Sequence, residues 1–423
     1  MGKIFAACSL LKGIIANPGV GPHVQQTATA YQEHQLLHAF YTTLYYRPDA
    51  VFSGYFSQSF PDFARQLSRR TLKNIPPQKI KTLNRFELLR IISAKILSPI
   101  VTDFIWESGE LAFDNWVGKQ LNPATNWVHV YEHCSLSTLK QAKNVGIKSF
   151  YEQPSQHFAF FENMAKDQLK KYPELISAET RLLTDQKSER RNHRREQELN
   201  LCDYIICNSA FTKKTLVDAQ VSAEKIITIP LGFPDAVKNI DKNSIAKTIF
   251  ICAGNQSLRK GTHLLYQAWK NCDFKAEEAE LWMIGSNQLP LKIRQGLSEN
   301  VKFIPNVLQP ELLQLMAKAD LLVLPTLCDG FGMVITEAMA QGLPVITTYN
   351  SGGPDVITAG KDGFLLDAGS VEQLANCLKC CVLNKNQVKN MRILALEKAK
   401  TYPWASFRKQ LITEITDRIG NSN

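Results

Sequence analysis

Residues 326–346 read TLCDGFGMVITEAMAQGLPVI, and the fold follows from how this stretch divides. Just upstream, DLLVLPT (320–326) is almost wholly apolar, as a strand buried on both faces should be. Downstream, PVITTY (344–349) reads as a second such strand. Between them, a loop over 328–332 turns into a helix running to about Gln341, ended by Gly342. Gly330 and Gly332 let backbone approach a ligand closely, and the free amides at the helix start make an anion site. Asp329 stands before Gly-Phe-Gly, and Glu337 lies inside the helix among Val334, Ile335, Ala338 and Met339. A carboxylate in such company must reach solvent or accept hydrogen bonds. The bland reading makes Glu337 an exposed residue near a helix start and Asp329 a turn or cap. The functional reading makes both acceptors for the hydroxyls of sugar rings.

Working outward, strands and helices alternate on both sides. After it comes GFLLDA, and before it TIFICAG, ELWMIG and VKFIPNV, with helices between. In the first half KIFAAC reads as a strand before the glycine-rich loop NPGVGPHV, and TDFIWES, NWVHVYEH and IKSFYEQ are further apolar stretches. Residues 73–95 look basic and irregular, and 182–199 look like a long, exposed, arginine-rich helix. The expected architecture is α/β: two facing Rossmann-like doubly wound domains with parallel sheets and an interdomain cleft. The first would span 1–235 and the second 236–400, with DAVKNIDKNSIAK as linker.

The 423 residues exceed one ordinary core, and the net charge of +10 favours anionic partners. Ten cysteines show no metal-site spacing; Cys377, Cys380 and Cys381 read as free thiols on a helix in a reducing compartment. The first residues are weak as a signal peptide, and no run reaches the roughly 20 apolar residues that cross a bilayer. The expected location is cytoplasmic or peripheral on the cytoplasmic membrane face. Nucleic acid is not expected as a partner, for want of interleaved basic and aromatic residues.

The DGFG stretch, its Glu337 and EAMAQGLPV resemble the signature of the large family of retaining glycosyltransferases that includes bacterial mannosyltransferases and sucrose-phosphate synthases. The resemblance covers nearly all of residues 240–400 and implies the GT-B arrangement of two Rossmann-like domains, 1–235 on the acceptor side and 236–400 on the nucleotide-sugar donor side, with 401–423 as a helix packing back on the first domain. It implies that Glu337 holds the ribose of a nucleoside diphosphate sugar and that Asp329 contacts the transferred sugar. The usual residue at the latter position is Glu, one methylene longer. Arg259 and Lys260, beside a strand end and a helix start, suit the diphosphate; their bland reading is solvated loop charge. Gly254 belongs to the same loop, where Asn255 replaces the family's frequent arginine. Asn306 and Val307 in IPNV lie where the resemblance puts the nucleobase, and Gly330, Phe331, Gly332, Met333 and Val334 complete the donor set. Gly352 and Gly353 bring backbone near the ligand or form a plain turn.

In the first half, Gly19 and Gly21 would approach the donor, and His23 would line the acceptor cleft. Similar enzymes place a histidine near the transferring carbon. His133, Glu152 and His157 compete for that position, with His133 preferred. The implied reaction moves a hexose from a UDP- or GDP-linked donor to a saccharide or lipid-linked hydroxyl with retention, the donor phosphate assisting deprotonation. It needs no bound cofactor and no metal. The rivals are an epimerase or phosphorylase on the same plan, or a non-catalytic sugar-nucleotide binding protein. Arg190, Arg191, Arg194 and Arg195 read as a solvated helix face or a face on anionic lipid, and KTLNRFELLRIISAKIL (81–97) is the better amphipathic candidate for such contact.

Overall fold

The computed structural model describes residues 12–47, 67, 70–97, 99–181, 183, 185–238 and 247–420. Two parallel sheets organise the chain. The first holds seven strands, β1 (Gly13–Ala16), β2 (Leu37–Thr42), β3 (Ile80–Thr82), β4 (Trp127–Tyr131), β5 (Lys148–Gln153), β6 (Tyr204–Cys207) and β7 (Ile226–Thr228), in the order β3-β2-β1-β4-β5-β6-β7. The second holds six: β8 (Thr248–Ala253), β9 (Ala279–Ile284), β10 (Val301–Ile304), β11 (Leu321–Leu324), β12 (Val345–Thr348) and β13 (Gly363–Leu366), in the order β10-β9-β8-β11-β12-β13. The central strands β1, β4, β8, β11 and β12 are buried along their whole length, as their unbroken apolar runs require. Both orders reverse next to their first strand, β1/β4 in one sheet and β8/β11 in the other. A crevice opens beyond the carboxyl ends of the strands at such a reversal.

Trp404–Gly420 packs on Pro22–Glu33 in the N-terminal half. Phe407, Leu411, Ile415 and Ile419 recur every fourth residue on its buried face. Arg408 closes the contact, donating Nε to Glu33 (2.8 Å) and a terminal N–H to Gln26 (2.7 Å). Just before it, the segments around Phe233 and Trp404 exchange backbone bonds: Phe233 N donates to Tyr402 O and Trp404 N to Phe233 O. The C-terminal helix is thereby stitched to the segment that leaves the first sheet.

The two halves also meet near the crevice. Ser209 caps the helix Ala210–Asp218 and donates its hydroxyl to the Gly330 carbonyl, while Ala210 N donates to Asp355. His263 Nε2 faces Gln168 Oε1 at 3.0 Å across the seam. Gly330 is packed so closely that a Cβ there would stand 1.8 Å from the Pro154 carbonyl oxygen.

Four readings of the sequence change. The strand entering the first glycine-rich loop is Gly13–Ala16; KIFAAC lies outside the described residues, as does most of the expected linker. TDFIWES lies in the first half of the helix Pro99–Gly118, where its apolar residues fall on more than one side, Phe104 exposed and Ile105 and Trp106 partly buried. Residues 73–95 are ordered into a short 3-10 turn, β3 and most of the helix Asn84–Ile96. The arginine-rich helix Gln186–Leu201 is solvated on one side only: Arg190 is exposed as expected, but Arg191 pairs with Asp103 (2.9 Å) and Glu107 (3.3 Å), Arg194 with Glu107 (3.6 Å), and Arg195 with Glu132. Its partners come from other elements, so the periodicity of the helix alone could not reveal them.

At Gly261 the backbone takes φ +64°, and a Cβ would lie 2.0 Å from the Pro325 carbonyl oxygen. Gly261→Ala should therefore destabilise the protein by about 2–4 kcal/mol, read as a lower urea midpoint and Tm. An unchanged midpoint would mean that the contact between these two loops is easily relaxed.

Candidate active site

The site is built where the second sheet reverses. Residues 254–261 leave β8 and residues 325–333 leave β11, and backbone bonds clamp the two loops together. Leu327 N and Thr326 Oγ1 both donate to the Arg259 carbonyl, at 2.9 and 3.0 Å. The clamp sets Arg259 and Lys260 side by side at the carboxylate of Asp329. Arg259 donates a terminal N–H to Oδ1 at 2.9 Å, and Lys260 Nζ pairs with Oδ2. Burial alone would raise the Asp329 carboxyl; Lys260 and then Arg259 overcome it and hold it at about 2. The cluster therefore stays ionised, two cations around one anion, with one positive charge in surplus.

Glu337 lies in the first turn of the helix Val334–Ala340. Its neighbours Ile335, Thr336, Ala338, Met339 and Ala340 are buried, while Glu337 is only partly so. Burial pushes its carboxyl above the ordinary value, and a hydrogen bond from Gln309 on the adjacent helix works the other way. It is thus a largely desolvated acceptor on the helix that follows the cation loop's partner strand.

The other expected donor residues sort by what they touch. Gly254 has φ +125°, and a Cβ there would meet nothing within 4 Å, so its backbone borders open space. Gly332 also has positive φ (+81°) and shapes the loop. Phe331 is buried at 2% exposure, and Gly352 rests on its ring, where a Cβ would come within 2.3 Å. Its side chain, like Gly352, serves packing of the loop; only its backbone is left to face a ligand. Gly353 likewise packs on Thr347. Met333 and Val334 are half-buried at the helix start. Asn306 and Val307 follow β10, two strands from β8, and Asn306 Oδ1 accepts from Ser286 N at 3.2 Å. The described residues of this half also border a cavity of about 580 Å³, lined by Ser257, Leu258 and Arg259 on one side and Phe161, Thr180 and Leu183 on the other.

Across the seam, Gly19 is exposed and Gly21 caps the helix Pro22–Glu33, placing both at the β1/β4 reversal. His133 also stands there, with φ +82°, its backbone N–H held by Glu198 at 3.1 Å. Its ring packs edge-on to Trp106. Burial, aided by the nearby arginines and opposed by Glu132, lowers its imidazole to about 4. His157 is a helix cap: its Nδ1 accepts from Ala159 N at 3.2 Å, and the residue is 3% exposed. Glu152 is the next-to-last residue of β5, two residues before Pro154, the residue pressed against Gly330, and His157 lies three residues beyond Pro154 on the same segment. Among the described residues, no three His, Cys, Asp or Glu side chains gather as a metal would require.

Sequence reasoning did not find Ser209, Asp355, Gln168 or Gln309, whose roles arise from contacts with residues up to 145 positions away in the chain. The one available hint was the Ser-Ala-Phe-Thr helix start after β6, a local cap signal with no trace of its distant partner.

Comparison with known structures decides the architecture. HepE of Anabaena, solved with UDP-glucose, superposes over 96% of this chain and 100% of its own, with a TM-score of 0.57 and 16% identity. Sucrose-phosphate synthase of Thermosynechococcus elongatus does so over 97% and 100%, with a TM-score of 0.61 and 16% identity. The chain has the GT-B fold. Within it, residues 247–384 match the family described as Glycosyl transferases group 1. D-inositol 3-phosphate glycosyltransferase of Corynebacterium glutamicum is 30% identical over 128 residues, 30% of this chain and 31% of that protein. Sulfoquinovosyl transferase SQD2 of Arabidopsis thaliana is 28% identical over 172 residues, 40% and 33% of the two chains. The matched stretch thus spans about a third of these relatives' length, and it contains the whole cation–carboxylate cluster of the GT-B crevice.

Asp329→Asn leaves Arg259 and Lys260 without their counter-ion, and should cost about 1–3 kcal/mol at neutral pH. Because the folded carboxyl is depressed, the wild-type advantage is fully present above the unfolded value near 4 and is lost as pH falls through about 2. Urea midpoints of the two proteins between neutral and acid pH check this; a difference that grows on acidification contradicts the ion cluster.

Proposed function

We propose that this chain is a retaining glycosyltransferase, moving a hexose from a UDP- or GDP-linked donor to a hydroxyl of a saccharide or lipid-linked acceptor. The observation that carries the reading is the Arg259–Asp329–Lys260 cluster at the β8/β11 reversal, on loops that also lead to Glu337. A diphosphate binding there meets two cations already in place. Fixed charges of this kind stabilise the leaving group without reorganising, and losing one typically costs ~10²–10³ in rate. Glu337, desolvated and acceptor-only when ionised, suits the vicinal hydroxyls of a ribose. HepE, a GT-B protein solved with UDP-glucose, supports a nucleotide sugar as the donor. Asp329, shorter than the usual Glu, stays paired with both cations and would meet the sugar with the acceptor capacity its carboxylate oxygens have left. No bound cofactor and no metal enters the proposed chemistry.

Location at the cytoplasmic face of a membrane, and contact with anionic lipid, belong to the same proposal. The supporting feature is an exposed apolar run on the helices Asn84–Ile96 and Pro99–Gly118: Leu88, Leu89, Ile96, Leu97, Val101 and Phe104, with exposed Arg85 nearby. Apolar insertion flanked by cations is the pattern of interfacial helices.

A screen of nucleotide sugars against candidate acceptors, read by mass spectrometry, tests the reaction. Glu337→Ala should weaken donor binding by at least about tenfold, and a variant that transfers sugar at the parent rate shows that Glu337 does not hold the ribose. Donor affinity should also rise with pH through a point above the ordinary carboxylate range, since the ionised acid is the acceptor. Co-sedimentation with vesicles containing anionic lipid should fall severalfold in Leu89→Ser/Phe104→Ser; equal binding by parent and variant excludes this face.

A further inference from the structure

Three neighbouring strands of the second sheet each end in the same way. Asn255, Ser286 and Asn306 stand two residues past the ends of β8, β9 and β10. The loops keep pairing after the strands stop: Gly254 N donates to the Ile284 carbonyl, Gln256 N to that of Ser286, and Gly285 N to that of Ile304. Gly285 permits the approach, with φ +126° and the Gly254 carbonyl oxygen 2.2 Å from where a Cβ would stand. The three polar residues therefore form a strip across the strand ends, at the spacing of adjacent strands, about 4.8 Å.

Two hydrogen bonds run along the strip and fix what each side chain has left. Ser286 N donates to Asn306 Oδ1 at 3.2 Å, and Ser286 Oγ donates to Asn255 Oδ1 at 2.7 Å. A backbone N–H only donates, so Asn306 presents its oxygen inward and keeps Nδ2 as a free donor. The Ser286 proton is committed to Asn255, so its Oγ is left to accept, and Asn255 likewise keeps Nδ2 to donate. Among the described residues neither Nδ2 has a partner. The strip reads donor, acceptor, donor. It carries no charge, Asn255 and Asn306 are exposed, and Ser286 is half-buried.

Its place in the crevice follows from its two ends. Asn255 is on the cation loop, four residues before Arg259, and the space over Gly254 beside it is open. At the other end Gln309, three residues after Asn306, bonds to Glu337. A nucleoside diphosphate with its phosphates on the cations and its ribose on Glu337 therefore has its base within reach of the strip. A neutral heterocycle suits an uncharged edge, whereas an anion is drawn to Arg259 and Lys260 instead.

We propose that the donor nucleotide carries uracil and that Asn255, Ser286 and Asn306 read its edge. This rests on the transferase reading above and chooses between its two donors. Uracil presents O2, N3–H and O4, a donor between two acceptors, so each amide meets a carbonyl and Ser286 Oγ receives the N3–H. The order is the same from either end, and the match holds whichever carbonyl meets Asn306. Guanine presents O6, N1–H and an amino group, which sets a donor against one of the amides. Adenine sets its amino group against an amide and its N1 acceptor against the serine oxygen.

Calorimetry on the full chain with UDP, GDP and ADP tests this, the diphosphate being common to all three. UDP should bind at least about tenfold more tightly than either purine nucleotide. Asn306→Asp still accepts from Ser286 N but cannot donate, so the ratio of UDP to GDP affinity should fall by at least about tenfold. Repulsion between the new carboxylate and the diphosphate acts on both nucleotides and cancels in that ratio. Ser286→Ala keeps the backbone bond and removes the acceptor. UDP methylated at N3 should bind the parent about tenfold more weakly than UDP does, and the two should bind Ser286→Ala within about threefold of each other. GDP or ADP binding the parent as tightly as UDP overturns the proposal and leaves the transferase reading in place. A ratio that does not move in Asn306→Asp, or a methyl penalty that persists in Ser286→Ala, overturns the role of the strip. A parent that binds none of the three nucleotides and moves no sugar in the screen overturns the transferase reading and this proposal with it.

Discussion

The ion cluster of Arg259, Lys260 and Asp329 is the constraint around which the C-terminal half is arranged. Two cations on adjacent residues repel each other, and partial burial removes the water that would screen them. A carboxylate from the neighbouring loop makes their proximity tolerable. That carboxylate must arrive at one defined place, so the loops after β8 and β11 must be locked to each other. The lock is a set of bonds to one carbonyl, that of Arg259, together with a glycine at 261 that admits the Pro325 carbonyl where a side chain would stand. The parallel sheet supplies the rest, since loops leaving adjacent parallel strands emerge at the same edge.

The same logic explains why the cluster is charged in surplus. A neutral pair would be more stable in isolation and would offer a diphosphate little attraction. With one anion to two cations, an incoming anion completes the set instead of competing with an equal partner. Asp329 is short and tied down, whereas Glu337 is desolvated and holds only one identified hydrogen bond, from Gln309. The two acids that look alike in the sequence therefore have opposite electrostatic characters, one depressed by cations and one raised by burial. Their environments suit them to different tasks: counter-ion for the first, hydrogen-bond acceptor for the second.

Much of the C-terminal half was legible because its signals are local. An unbroken apolar run, a Gly-Phe-Gly loop and a helix closed by Gly342 each constrain their own few residues, and DLLVLPT, PVITTY and TIFICAG all contain strands. The N-terminal half was less legible. TDFIWES looks like a strand in isolation because its aromatic and β-branched residues favour one, but the 20-residue helix around it covers two faces with them. The arginine helix looked solvated because its acids lie on the helix Pro99–Gly118 and at the end of β4. Contacts of that kind have no period and leave no local mark. Phe331 shows a third limit: its place in a binding motif reflects the need to pack the loop from behind.

The two crevices, one per sheet, are brought into register by residues that belong to neither motif. Ser209 caps a helix, and its hydroxyl and that of Thr212 both hold the Gly330 carbonyl, so the start of one helix in the first half is bonded to the 325–333 loop in the second. Asp355 accepts the next backbone N–H, and the C-terminal helix returns to the first sheet through Arg408. These bonds are polar and few, and they lie between surfaces that carry glycine at the point of closest approach. Beside them an apolar cluster also crosses the seam: Leu258 of the cation loop and Leu289 pack with Ala165 and Leu175. The mouth is therefore joined both by a handful of hydrogen bonds, each net about 1 kcal/mol, and by buried side chains next to the cations, while the longer apolar contact is made at the C-terminal helix. A change in the separation of the halves has to break both kinds of contact at once, and the cation loop takes part in the apolar one.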